Sequence, residues 1–163
     1  MSSEPKEWDE NVDITWREYF NTPWMLPHKG IVRLTRRLEQ ELGKEKAHRI
    51  IKEVAYELAY EDTKKKIEGI MVNSLEDIPT AMDAIREQRM KVGSGKSKDG
   101  YCLWAKTWRE MGAGDIGYLW NCNADEAIMV AFSPHIKLSQ GETLMTGNSF
   151  CDNQVTWEED KDA

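Results

Sequence analysis

Apolar residues in the first half of this chain recur at helical intervals. Ile31, Leu34, Leu38 and Leu42 follow one another in steps of three and four, and Ile50, Ile51, Val54, Ala55 and Leu58 repeat the pattern in the next segment. Such spacing gives each helix one apolar stripe to turn toward a core. Gly43 lies between the stripes as a C-terminal stop, so residues 30–67 predict a helical hairpin. Its second helix ends in Lys64, Lys65 and Lys66, cations that suit the negative end of the helix dipole. Upstream, ITWREYFNTPWMLP predicts a short helix from Ile14 to Pro27 that stops at its two prolines, with Trp16, Phe20 and Trp24 on one face. Downstream, Ser74 and Asp77 have the spacing of a capping box, which predicts a helix from near Leu75 to Lys91 with Pro79 in its first turns.

After Gly100 the pattern changes. YCLWAKTW, DIGYLWNCN, HIKLSQGETLMTG and SFCDNQVTW are short and rich in aromatic and β-branched residues, with turn residues between them. They predict antiparallel strands, the last carrying Cys151. Between the second and third, ADEAIMVAFSP predicts a helix with Asp125 and Glu126 at its start and Pro134 at its end. The expected fold class is α+β: N-terminal helices over 14–91 packed on a C-terminal antiparallel sheet over 100–158. One domain over 1–163 is expected, with mobile polar ends at 1–13 and 159–163.

Charge narrows the function classes. With 22 basic and 29 acidic groups the net charge is −7, against a surface built for nucleic acid phosphates or an anionic membrane. No run of 18 apolar residues occurs, and the acidic start MSSEPKEWDE is unlike a signal peptide, so a cytoplasmic location is expected. Three cysteines, Cys102, Cys122 and Cys151, cannot all pair in one chain; in that compartment they are packing residues, metal ligands or nucleophiles. Gaps of 19 and 28 residues separate them and no C-x-x-C or H-x-x-x-H pair occurs, so no metal is assigned, though Cys122, His135 and Cys151 are free to meet in space. The loop Gly93-Ser94-Gly95-Lys96-Ser97 has Met90 where a phosphate-binding loop requires glycine, and reads as a linker. No cofactor is expected.

The candidate chemistry collects between Gly114 and Trp157. A thiolate attacks well beside a histidine or a helix N-terminus, and Cys122 is followed closely by Asp125 and His135. Cys151 comes just after the turn Gly147-Asn148-Ser149, and Asp125 and Asp152 adjoin the two cysteines as candidate bases. Each has a plainer role: free cysteines pack like small apolar groups, and Asp125 is placed to cap a helix. His28 and His48 read as surface residues. Seven tryptophans, Trp104 and Trp108 among them, fill a core or line an apolar cavity.

Gly117, Cys122, Asp125, Phe132-Ser133-Pro134, Ile136-Lys137-Leu138, Thr143-Leu144-Met145, Gly147 and Cys151-Asp152 together give this region a resemblance to the L-2-amino-thiazoline-4-carboxylic acid hydrolase-like family. The Gly-x-x-x-Cys ending is also similar to 4-vinyl reductase-type ligand-binding domains, whose fold resembles a transport-complex subunit with helices against an antiparallel sheet. Where the hydrolase-like family continues Cys-Asp-Phe-x-Phe, this chain has Cys151-Asp152-Asn153-Gln154-Val155, amides that can hydrogen-bond a ring nitrogen or carbonyl. The resemblance implies a cofactor-independent hydrolase that opens a small cyclic amidine, amide or thiazoline at a C–N bond. Cys151 or Cys122 would act as nucleophile, Asp125 or Asp152 as base and His135 as acid. Asn153, Tyr118, Trp120, Trp104 and Asn148 are the substrate-binding candidates. The alternatives are a non-enzymatic small-molecule sensor or carrier and a ring-cleaving lyase. The expected partner is a small molecule, not nucleic acid or membrane, and the aromatic face near Trp16 and Trp24 suits a homo-oligomer.

Overall fold

The computed structural model describes residues 25–88 and 102–159. The expected helix before Trp24, the 93–97 loop, the helix end at Lys91 and both chain ends lie outside the described residues. Helix α1 (Met25–Leu42) and helix α2 (Lys44–Lys66) pack on each other about Gly43, whose φ of +81° suits a residue without Cβ. Pro27 does not end a helix. It lies in the first turn of α1, where its missing N–H would have had no helical partner. The buried stripe of α2 is Ala47, Ile51, Ala55 and Thr63, while Val54 and Leu58 stay 39% and 53% exposed. The expected stripe is therefore rotated toward its small residues, because Ala47 and Ala55 allow another helix to approach closely.

Ser74 and Asp77 do form a capping box. Asp77 Oδ2 accepts the N–H groups of Asn73 and Ser74 at 2.8 and 3.2 Å, and a short 3-10 turn leads into α3 (Ile78–Gln88), with Pro79 near its start.

The largest corrections fall between Cys102 and Asn123. YCLWAKTW is not a strand: its described part is α4 (Leu103–Glu110), capped by Cys102, whose Sγ accepts the Ala105 N–H at 3.5 Å. DIGYLWNCN is not a strand either. It runs through α5 (Gly114–Gly117), a π-helical turn (Tyr118–Cys122) and the start of α6 (Asn123–Phe132), with helical backbone across each junction. Buried Ala113, Ile116, Asn123, Ala127, Ile128 and Ala131 repeat at helical spacing along this rod, a period hidden by the aromatic composition of its first half.

Two strands are present among the described residues. β1 (Ile136–Gln140) and β2 (Asn153–Trp157) pair antiparallel with Ile136 opposite Trp157 and Gln140 opposite Asn153. Ile136, Leu138, Val155 and Trp157 face the core, as the two-residue period of a strand requires. Cys151 precedes the second strand and is not carried by it. The segment after Gln140 leaves β1 at Gly141 and forms a 3-10 turn, Leu144–Thr146. The architecture is α+β, mostly helical, with a two-stranded antiparallel sheet. No helix of the described residues is long and apolar enough to cross a membrane.

Two apolar clusters organise the packing. One gathers Ile67, Val72, Ala81, Ile128, Met129, Phe132 and Ile136 beneath the strands. The other surrounds Trp108 with Ala105, Ala113, Ile116 and Met145. The rod from Gly114 to Phe132 contributes to both, and its π turn lies between them.

Candidate functional site

The 3-10 turn after β1 is built from threonine. Thr143 is buried, and its Oγ1 accepts the Thr146 N–H at 3.2 Å while its carbonyl accepts the Asn148 N–H at the same distance. Gly147 closes the turn in the left-handed region, at φ +105°. This arrangement aims the Leu144 N–H at Cys151, whose Sγ accepts it at 3.4 Å.

Leu144 packs on the same apolar cluster as Cys102 and Cys122, and both of those thiols feel the charge of Cys151, so the three cysteines lie near one another. Their surroundings differ. Burial, then the charges of Asp125, Cys102 and Cys151, push the Cys122 thiol far above its ordinary pKa. Burial also raises Cys102, against the opposing N–H groups of Ala105 and Trp104. Both stay neutral thiols at pH 7. Cys151 is exposed, and among the three it alone combines access from solvent with a backbone donor to its sulfur.

An aromatic wall stands beside the thiols. Trp104, Tyr118 and Trp120 pack on the Trp108 cluster together with Cys102 and Cys122. His28 is not a free surface residue: its ring lies 5.4 Å from that of Trp104 and 5.3 Å from that of Trp108, edge-on to the latter. The indole N–H of Trp108 donates to Asn121 Oδ1. Two amides fix the π turn to its neighbours: Gln140 Nε2 donates to the Cys122 carbonyl at 3.0 Å, and Asn123 Nδ2 donates to the Lys52 carbonyl at 3.0 Å.

Cys122, Cys151 and Asp125 are thus brought together, with Trp104, Trp120 and Tyr118 near two of the thiols. His135 is not among them. It lies at the far end of the β ribbon, stacked on Trp157 at 5.2 Å with Nδ1 3.0 Å from the Glu158 carbonyl. The Cys122 carbonyl is held at the Gln140 end; five strand residues at about 3.3 Å each lie between. Asp152 is exposed, and its backbone joins Gly141 and Glu142 across the loop base. Asn153 is exposed opposite Gln140, and Asn148 reaches Thr146 Oγ1 at 3.2 Å. Sequence reasoning passed over Cys102, whose capping role was masked by reading its segment as a strand.

A separate group joins α1, α2 and α5. Arg36 donates to both carboxylate oxygens of Glu39 at 2.9 and 3.0 Å and to both of Asp115 at 3.0 and 2.9 Å. His48 Nε2 lies 2.6 Å from Glu39, so this histidine is part of a network and not a solvated surface group. One ligand atom each from Glu39, His48 and Asp115 lie within 4.8 Å of one another, close enough for a cation. The guanidinium already holds every one of those carboxylate oxygens, so the set reads as an ion network.

No curated protein and no solved structure matches the chain significantly. The resemblance carried by the Gly117–Asp152 residues extends through the helical part: the L-2-amino-thiazoline-4-carboxylic acid hydrolase family matches residues 25–154, and the chain belongs to that family.

Proposed function

We propose that this protein is a hydrolase that opens thiazoline-like rings, with Cys151 as its nucleophile. The observation that carries the reading is the exposed Cys151 sulfur, held by the Leu144 N–H beside two neutral thiols and Asp125, in a chain of this family. Of the three cysteines, Cys151 is the one exposed to a substrate in solvent.

The atoms balance with water alone as co-reactant. Cys151 sulfur adds to the amidine carbon of the ring, and the C=N electrons pass to nitrogen, which takes a proton. Collapse of this adduct expels the ring sulfur as a thiol and leaves an isothiourea on Cys151. Water adds to the same carbon and expels Cys151, giving an N-carbamoyl thiol acid. Rupture at ring nitrogen instead would leave an S-carbamoyl amine. Asp125 serves as base for the water, Trp104 and Trp120 flank the ring, and N–H groups near Gly147 with Asn148 steady the developing anion.

A second reading, a small-molecule carrier, is favoured by the burial of Cys102 and Cys122, which makes them packing residues. One assay separates the two: incubation with 2-aminothiazoline-4-carboxylate, with released thiol titrated and the product weighed by mass spectrometry. Turnover that falls at least about a hundredfold in Cys151→Ser is expected. Full turnover in that variant would remove Cys151 from the mechanism, and tight binding without product would establish the carrier.

A further inference from the structure

β1 turns Ile136 and Leu138 toward the core, and Gln140 follows them on the same face. An amide on the inward row of a strand needs a partner, and this one has the π turn: Gln140 Nε2 donates to the Cys122 carbonyl at 3.0 Å. A carbonyl accepts only from the nitrogen side of the amide, so chemistry fixes which way the side chain is turned. On the next residue, buried Asn123 donates to the Lys52 carbonyl at 3.0 Å. The end of the π turn is thus clamped between α2 on one side and β1 on the other.

From Gln140 a second path leads to Cys151. Gln140 pairs with Asn153 across the ribbon, the Gly141 N–H donates to the Asp152 carbonyl at 3.0 Å, and the Asp152 N–H donates to the Glu142 carbonyl at 2.9 Å. The Leu144 N–H then reaches Cys151 Sγ at 3.4 Å. The bonds along the ribbon and loop base are backbone bonds, largely indifferent to side-chain identity. The bond to the Cys122 carbonyl is different: it needs a side chain of this length with a donor at its end.

We propose that Gln140 is a positioning residue, whose amide sets the π turn, with Trp120 and Cys122 on it, against the loop that carries Cys151. This rests on the hydrolase reading in one respect: a ring attacked at Cys151 is flanked there by Trp120, so the tie governs how tightly substrate is held and leaves the reactivity of the Cys151 sulfur alone.

Peptide-resolved iodoacetamide labelling of the full chain tests it in three variants. Gln140→Met keeps the length without a donor, Gln140→Glu turns an acceptor toward the carbonyl, and Gln140→Lys keeps a donor. A half-buried thiol is labelled through local opening, and loss of one hydrogen bond favours the open form by about fivefold. Cys122 labelling is therefore expected to rise about fivefold in Gln140→Met and Gln140→Glu, less in Gln140→Lys, and not at all in Ser139→Ala on the outward face of β1. Cys102, at the cap of α4, and Cys151, already exposed, are expected to keep their wild-type rates. With 2-aminothiazoline-4-carboxylate, KM is expected to rise about fivefold in Gln140→Met while kcat stays within about twofold. Unchanged Cys122 labelling in Gln140→Met and Gln140→Glu would overturn the proposal, and so would a parallel rise at Cys102, the mark of a general loss of stability. Wild-type turnover with KM and kcat both unaltered in Gln140→Met would leave the hydrolase standing and remove Gln140 from its machinery. A rise at Cys122 alone, in a chain that turns nothing over, would leave the tie standing without the hydrolase.

Discussion

Cys122 and Cys151 carry the same sulfur into opposite settings. Burial and the nearby charge of Asp125 hold Cys122 as a thiol, whereas Cys151 meets solvent and a backbone N–H. Iodoacetamide at neutral pH is expected to alkylate Cys151 at least about ten times faster than Cys122, read by peptide mass spectrometry at successive times; equal rates would count against the nucleophile assignment. Another single atom makes a separate test. Thr63 is fully buried on α2, and its hydroxyl has no hydrogen-bond partner among the described residues. Thr63→Val keeps the shape and removes the unpaired hydroxyl, so thermal unfolding is expected to report a gain of about 1 kcal/mol.

α4, α5 and the Leu144–Thr146 turn approach one another closely at Gly117. A Cβ on Gly117 would collide with the fully buried Trp108 and stand 2.6 Å from Met145 Sδ, with no room for the indole to retreat. Gly117→Ala is expected to lose about 2 kcal/mol in denaturant unfolding, because overpacking there must move a whole helix. None of this was legible beforehand. The α1–α2 hairpin was, since its leucines and isoleucines keep a helical period over many turns and Gly43 marks the corner. The Ser74–Asp77 box was legible because local spacing alone specifies it, and the segments that hold β1 and β2 were legible as strands from their β-branched and aromatic composition. Residues 103–123 were not, because short aromatic segments suit helix and strand alike and packing against Trp108 decides between them. Around the site, Asp125 and the two cysteines could be named from sequence proximity. The absence of His135 from the group depends on the direction of β1, and Arg36 meets Asp115 across 79 positions, a distance no motif spans.

At the scale of the whole molecule, Arg36 and its partners are the polar junction between the N-terminal hairpin and the rod from Gly114 to Phe132. Burial opposes the charge on Glu39 and Asp115, but hydrogen bonds from His48 and Arg36 to Glu39, and from Arg36 to Asp115, outweigh it and hold both carboxyls below their ordinary pKa. Groups lowered in the folded state stabilise it above their unfolded pKa, near about 4, and that stability is lost as pH falls through the folded value. Asp115→Asn is expected to cost about 1 kcal/mol at pH 7 and to flatten the acid side of a stability–pH curve; an unchanged acid limb would contradict it. The rod holds a second consequence at this scale. A π turn is an α-helix with one residue to spare, so Tyr118–Cys122 can absorb a deletion that an ordinary helix could not. Removing Leu119 would rewind the segment as regular helix and leave α6 seated on α2, since the change is taken up within the five residues. The same excision would swing Trp120 and Cys122 to new azimuths, making this stretch a place where chain length, and not residue identity, retunes the surroundings of the thiols while the scaffold stays as it is.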